Sequence, residues 1–280
     1  MSQKTIGASE IAAILGLSPW RTPWEVWAQK TGRLDDYPSS PALEAGKLVE
    51  SAVLDWAETR LGSLQRQVEV AIPGTPIVCH PDGLTTNGEP VEAKTTGLVG
   101  PVVGEWGADG SDEIPPYYTV QVLIQLAATG ADRGYVPVLI GGQGFRLYVL
   151  LHSRDVARSL VDFICLWWTK HIEKDVPPST DTVPSLDVLS RVKRAPNKIV
   201  QWSSSELVDE WLAAKAAVSA AAKKEEELRA RLLLELGDAE VAELPDGRQL
   251  TYFEQKRKAY TVPESVFRVL RLKKGGRSDE

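Results

Sequence analysis

Residues His80 to Lys94, HPDGLTTNGEPVEAK, decide how the chain is read. Val91 to Lys94 is a short strand-like run set off by Gly, Pro and Asn turn signals. Side chains of a strand alternate between faces, so Glu92 and Lys94 emerge together while Ala93 faces away. Asp82 arrives from the preceding turn. Two carboxylates and a backbone carbonyl are hard oxygen ligands suited to Mg2+. A neighbouring ammonium can orient or help deprotonate an attacking water and offset phosphate charge, which together is the equipment of phosphodiester hydrolysis.

Taken alone, the same pattern also fits a surface hairpin with solvated charges. Its surroundings favour chemistry. Glu50 sits beside apolar Val49 in a helical stretch, and Gln121 and Gln125 share one face of a later helix, which brings further polar groups from separate places. Working outward, Ser9 caps a two-turn helix ended by Gly16. Thr22, Pro23 and Glu25 form a capping box opening a helix to about Gly32. Leu43, Leu48, Val49, Ala52, Val53 and Trp56 mark a longer helix stopped by Gly62. Strands are predicted at Val68 to Ile72 and Ile77 to Cys79, forming a meander with Val91 to Lys94. Gly97 to Pro116 reads as a long mobile loop of the kind that serves function. A helix from Tyr117 to Thr129, a hairpin of Gly134 to Ile140 with Phe145 to Leu151, and a helix from Asp155 to Glu173 complete the core.

A proline-rich linker, Val176 to Pro184, then leads to an appendage, giving domains of residues 1–185 and 186–280. There Ser203 and Glu206 form a second capping box, a long helix ends at Gly237, and Val241 to Leu244 with Gln249 to Phe253 make a hairpin before a basic tail.

Of the 280 residues, 43% are apolar and 25% charged, ordinary values for a globular protein. No apolar run spans a membrane, and Met1 to Lys4 lacks the pattern of an export signal, so a cytoplasmic location is expected. The two cysteines, Cys79 and Cys165, read as reduced thiols and cannot supply a four-thiolate iron–sulfur or zinc centre. The net charge of −6 speaks against a protein that coats nucleic acid, but the charge is uneven. Residues 1–190 carry 14 basic against 23 acidic side chains, and residues 191–280 carry 18 against 15. Lys256, Arg257 and Lys258 are the densest part of the basic tail, which reads as a candidate for DNA contacts or for a contact between copies of the chain. Trp106, in the long loop, is the stronger candidate for stacking on a base, whereas Trp20, Trp24 and Trp27 read as packing between the N-terminal helices, with Trp20, beside Arg21 in a turn, the one of the three also placed to meet a DNA end. His80 is placed to contact phosphate or to close the turn.

Five stretches in order, IGASEIAAILGLSPW at Ile6, GKLVE ending at Glu50, HPDGL at His80, VEAKTT at Val91 and IPPYYTVQVLIQLAATG at Ile114, resemble the phage lambda exonuclease and YqaJ-like viral recombinase group of the PD-(D/E)xK nuclease superfamily. The resemblance covers roughly residues 5–175. It implies an α/β fold: a restriction-endonuclease-like core with a mixed sheet of about five strands flanked by helices, its site at one sheet edge, here followed by a helical and hairpin C-terminal appendage. It implies metal ligation by Asp82, Glu92 and the Ala93 carbonyl, with Glu50 near the metals, Lys94 as the catalytic lysine and Gln121 approaching from the later helix. It places Ser9 at the 5′-terminal phosphate, where the family arginine is absent and Lys4 or Arg21 would substitute. The implied activity is Mg2+-dependent 5′-to-3′ degradation of linear double-stranded DNA, with Mn2+ able to replace Mg2+. Implied partners are DNA ends, a single-strand annealing protein and further copies of the chain in a trimer. Two rivals remain from the residues themselves: a structure-specific or restriction-like endonuclease, and a non-catalytic DNA-binding recombination scaffold.

Overall fold

A computed structural model describes residues 5–35, 40–97, 106–179, 183–196 and 198–258, together with positions 264, 270 and 272. The chain divides into two compact units, residues 1–193 and 194–280. In the first, β1 (Ile6–Gly7) runs through a 3-10 turn (Ala8–Glu10) into α1 (Ile11–Ile14), followed by α2 (Pro23–Lys30) and α3 (Pro41–Leu61). Six short strands come next: β2 (Gln65–Arg66), β3 (Val70–Ala71), β4 (Ile77–Cys79), β5 (Gly83–Leu84), β6 (Pro90–Val91) and β7 (Lys94–Thr96). Then come α4 (Pro116–Thr129), the hairpin of β8 (Arg133–Ile140) and β9 (Gly144–Leu151), α5 (Arg154–Trp168) prolonged by a π-helical turn (Thr169–Glu173), and α6 (Leu186–Arg191).

β6 and β7 are two pieces of one strand. Val91 pairs with Tyr135 and Lys94 with Val138, both parallel on β8, so the register runs through the break without an extra residue. Counted this way, the main sheet has five strands in the order β2, β5, β6/β7, β8, β9. α4 makes the crossover that a parallel pair requires. The meander expected of Val68 to Lys94 is instead divided between two sheets, because β4 pairs with β3 and, in parallel, with β1. β1, β2 and β5 are two residues long, too short to show a period of two in sequence.

Local chemistry accounts for the helix ends. Thr22 accepts from the Glu25 amide at 3.3 Å, and the Glu25 carboxylate accepts from the Thr22 amide at 2.6 Å, which is the expected capping box. Ser40 caps α3, which stops at Gly62 with φ of 83°. The expected cap at Ser9 is not formed: Gly7 occupies the cap position, and Ser9 lies exposed inside the 3-10 turn. α4 is the central helix. Ile124 packs into one apolar cluster with Ile6, Ile11 and Trp168, while Val122, Leu123 and Leu126 pack into a second with Val136 and Tyr148. The helix approaches the sheet so closely at Gly134 that a Cβ there would meet Val122 Cγ1 at 2.9 Å and Pro90 Cγ at 3.3 Å.

α6 is short enough to have escaped the sequence reading, and it packs Val188 and Val192 against the first unit's core. The first unit therefore extends past the expected boundary at residue 185. In the second unit, α7 (Glu206–Leu236) is followed by the hairpin of β10 (Val241–Glu243) and β11 (Gln249–Thr251). The Ser203–Glu206 capping box is replaced by a later start: Ser205 holds the cap position, and the Glu206 amide donates to Ser204 Oγ at 3.1 Å. Among the described residues, no helix is long and apolar enough to cross a membrane.

Candidate active site

The site forms where β5 parts from the broken strand. β5 pairs with β6 only as far as Gly83 opposite Val91. On the β8 side the ladder continues, with the Glu92 amide donating to the Tyr135 carbonyl at 2.9 Å. On the other side the Ala93 amide has left the ladder, and it donates to Asp82 Oδ2 at 2.7 Å. The side chain of Asp82 thus takes the place of a strand neighbour, satisfying a buried N–H while fixing its own carboxylate beside Glu92. The site is therefore on an interior strand, not at the sheet edge expected from the resemblance, because the break opens a gap within the sheet itself.

Glu92, 5% exposed, is held by three donors. Lys94 Nζ and Gln121 Nε2 donate to Oε1 at 2.6 and 2.5 Å, and Gln125 Nε2 donates to Oε2 at 2.6 Å. Lys94 Nζ also lies 4.8 Å from the centroid of the Tyr118 ring. Burial alone would lower the lysine's affinity for its proton, but the charge of Glu92, its hydrogen bond, and Asp82 outweigh this and raise it above the ordinary value. Lys94 is thus held as an ammonium. Asp82 is pushed up to about 7 by burial, then by the charges of Glu92 and Glu50, with Lys94 and the Ala93 amide acting in the opposite sense.

Glu50 on α3 is exposed. It lines a cleft of about 420 Å³ with Lys47, Arg66, His80 and Asp82. Among the described residues, no three His, Cys, Asp or Glu side chains converge as a ready-made metal cage. Mg2+ does not need one, since it commonly keeps several waters and takes one or two carboxylates. Asp82, Glu92 and the Ala93 carbonyl have suitable donor chemistry, and the negative charge that adds to burial in raising Asp82 is what a divalent cation relieves.

The structure thus brings together Asp82, Glu92, Ala93, Lys94 and Gln121, with Glu50 on the flank. Sequence reading set Gln125 on the right face but gave it no role, and it missed Tyr118. Their spacing, 118, 121 and 125, is that of one helix face and could have revealed both. His80 is exposed and 3.1 Å from Glu69 Oε2. Arg21 is engaged by Glu10 at 3.2 Å and by Gln29, so it is less available than expected. Trp106 is packed against Tyr118 and Tyr148 with its Nε1 buried, unlike the mobile base-stacking residue expected. Trp24 and Trp27 do pack together, but Trp20, expected to pack with them, is 61% exposed. Lys256, Arg257 and Lys258 are exposed in the second unit, and Lys4 lies outside the described residues.

The architecture matches solved nucleases. The alkaline exonuclease LHK-Exo of Laribacter hongkongensis aligns with a TM-score of 0.50 and 13% identity, over 61% of this chain and 90% of that one. Its complex with dAMP gives a TM-score of 0.50 and 14% identity over the same shares. The core is accordingly the PD-(D/E)xK-like fold expected from sequence. The protein YqaJ of Bacillus subtilis (strain 168) is 27% identical over 250 residues, 85% of this chain and 77% of its own length. Residues 1–132 match the family model of the YqaJ-like viral recombinase domain.

Proposed function

We propose that this chain is a Mg2+-dependent DNA exonuclease that degrades linear duplexes from 5′ ends, leaving a 3′ strand for a single-strand annealing protein. The observation that carries this reading is the gap at Ala93, where the Asp82 carboxylate takes the Ala93 amide at 2.7 Å beside buried Glu92, which holds Lys94 at 2.6 Å. That LHK-Exo, of the same fold, is an alkaline exonuclease solved with dAMP supports a DNA substrate.

In hydrolysis, a water oxygen bonds to phosphorus while the ester P–O bond breaks, and the departing oxygen ends with one of the water's protons. Mg2+ bound by Asp82, Glu92 and the Ala93 carbonyl would supply a more acidic water and stabilise the phosphate charge. Lys94, as an ammonium, has only protons to donate, so it orients the water or a phosphate oxygen and offsets developing charge. Gln121 and Gln125 hold Glu92 in one orientation. Glu50 holds waters at the flank of the site. Ser9, with Lys4 or Arg21, receives the terminal phosphate, and Lys256, Arg257 and Lys258 add contacts that ignore sequence.

The test is digestion of end-labelled linear duplexes bearing 5′-phosphate or 5′-hydroxyl ends, with and without Mg2+, beside a closed circular duplex. Mononucleotides should appear from 5′ ends of linear DNA only, and Asp82→Ala, Glu92→Ala and Lys94→Ala should each lower the rate by about 10²-fold or more. Equal cutting of the closed circle would overturn the exonuclease reading in favour of an endonuclease.

A further inference from the structure

Trp20 lies in the turn between α1 and α2 and is 61% exposed, although tryptophan is among the side chains with most to gain from burial. It is not loose. Its amide donates to Ser18 Oγ at 3.3 Å, and its indole meets Tyr117 nearly perpendicularly, with ring centroids 5.0 Å apart. The Tyr118 ring is 6.5 Å away. Tyr117 and Tyr118 open α4, whose Gln121 and Gln125 hold Glu92, and Tyr118 in turn carries Lys94 Nζ at 4.8 Å. An unbroken line of contacts therefore joins the buried ammonium to an exposed indole: Lys94, Tyr118, Trp20.

A nucleotide has a matching pair of parts, an anionic phosphate joined through a sugar to a flat apolar base. Trp106 cannot serve the base, since Tyr118 and Tyr148 already pack against it. Arg21 beside Trp20 is engaged by Glu10 and Gln29, so this turn offers a ring in preference to a free cation. We propose that Trp20 is a base-stacking subsite, receiving a nucleobase of the strand whose phosphate lies at Lys94. The proposal rests on the nuclease reading above. Stacking on an aromatic ring tolerates any base, which suits an enzyme that removes nucleotides in succession.

The experiment compares the full chain with Trp20→Leu, which keeps apolar bulk without a π face, and with Trp20→Phe, which keeps a smaller one. Linear duplexes with 2-aminopurine at the terminal nucleotides report stacking by fluorescence quenching, and Mg2+-supported digestion reports kcat and KM. Trp20→Leu should raise KM about tenfold, as expected from the loss of one stacked base, and should abolish most of the quenching. Its kcat should stay within about twofold, and Trp20→Phe should recover most of the KM and the quenching. If Trp20→Leu cleaves and quenches like the wild type, or if Leu and Phe behave alike, the stacking subsite is refuted while the nuclease reading stands. A wild-type chain that cleaves no DNA would refute the nuclease reading, and this subsite with it.

Discussion

Replacing Asp82 by Asn should stabilise the cation-free protein at neutral and alkaline pH while destroying its chemistry. An ordinary aspartate titrates near 3.8, whereas burial, followed by the charges of Glu92 and Glu50, pushes Asp82 up to about 7. A carboxyl raised in the folded state contributes stability below its unfolded value, and that contribution is lost as pH rises through the folded value, here between 3.8 and about 7. Three pH units at about 1.4 kcal/mol each set an upper bound of about 4 kcal/mol on the cost of ionising Asp82 in the fold. Asn carries no charge and still offers an oxygen to the Ala93 amide that Asp82 accepts at 2.7 Å. In urea unfolding with a chelator present, the advantage of Asp82→Asn over wild type should therefore grow by about 2 to 3 kcal/mol from about pH 5 to about pH 8.5. Added Mg2+ should then raise the wild-type midpoint and leave that of the variant nearly unchanged. Parallel stability profiles for the two proteins across this range would refute the electrostatic reasoning.

Gln125→Leu removes a donor to Glu92 but also a carbonyl oxygen, Oε1, that is buried without a hydrogen-bond partner among the described residues. Stability should change by about 1 kcal/mol or less, while activity falls about 10- to 100-fold, so thermal melts and steady-state rates should diverge. Gly134→Ala forces a Cβ to within 2.9 Å of Val122 Cγ1, and it should cost about 1 to 3 kcal/mol in chemical unfolding and lower kcat by moving α4 off Glu92. Neutralising Lys256, Arg257 and Lys258 together should flatten the plot of log DNA affinity against log salt by roughly one unit per lost phosphate contact, with kcat at saturating DNA unchanged.

The sequence made the long elements legible, because their signals are repeated or chemically specific. α2 declares itself through Thr22, Pro23 and Glu25, and the end of α3 through Gly62. β8 and β9 are long enough to alternate. The pairing of Asp82 with Glu92 and Lys94 was legible too, since residue types and spacing carry it. The strand break was not, because it depends on where β5 stops pairing, and two-residue strands leave no periodic trace. The turn beside Arg21 already marked Trp20 as able to meet a DNA end, but the enclosure of Trp106 was hidden. Each tryptophan's exposure is set by Tyr117, Tyr118 or Tyr148, residues distant in sequence that only the fold brings near.

The interrupted strand also separates two properties that could otherwise constrain each other. Val91 and Lys94 keep their places on β8, so the reactive groups ride on backbone clamped from one side and roofed by α4, whose Gln121 to Leu126 are all buried. What would select a substrate sits on surface segments instead: the turn carrying Trp20, and the α3 wall of the cleft. Substitutions there, Glu50 apart, change none of the side chains that hold Asp82 and Glu92, and tolerance to change is greatest on such surfaces. A laboratory search for variants with new end preferences or strand preferences therefore belongs in those segments, with Asp82 to Lys94 and the face of α4 kept fixed.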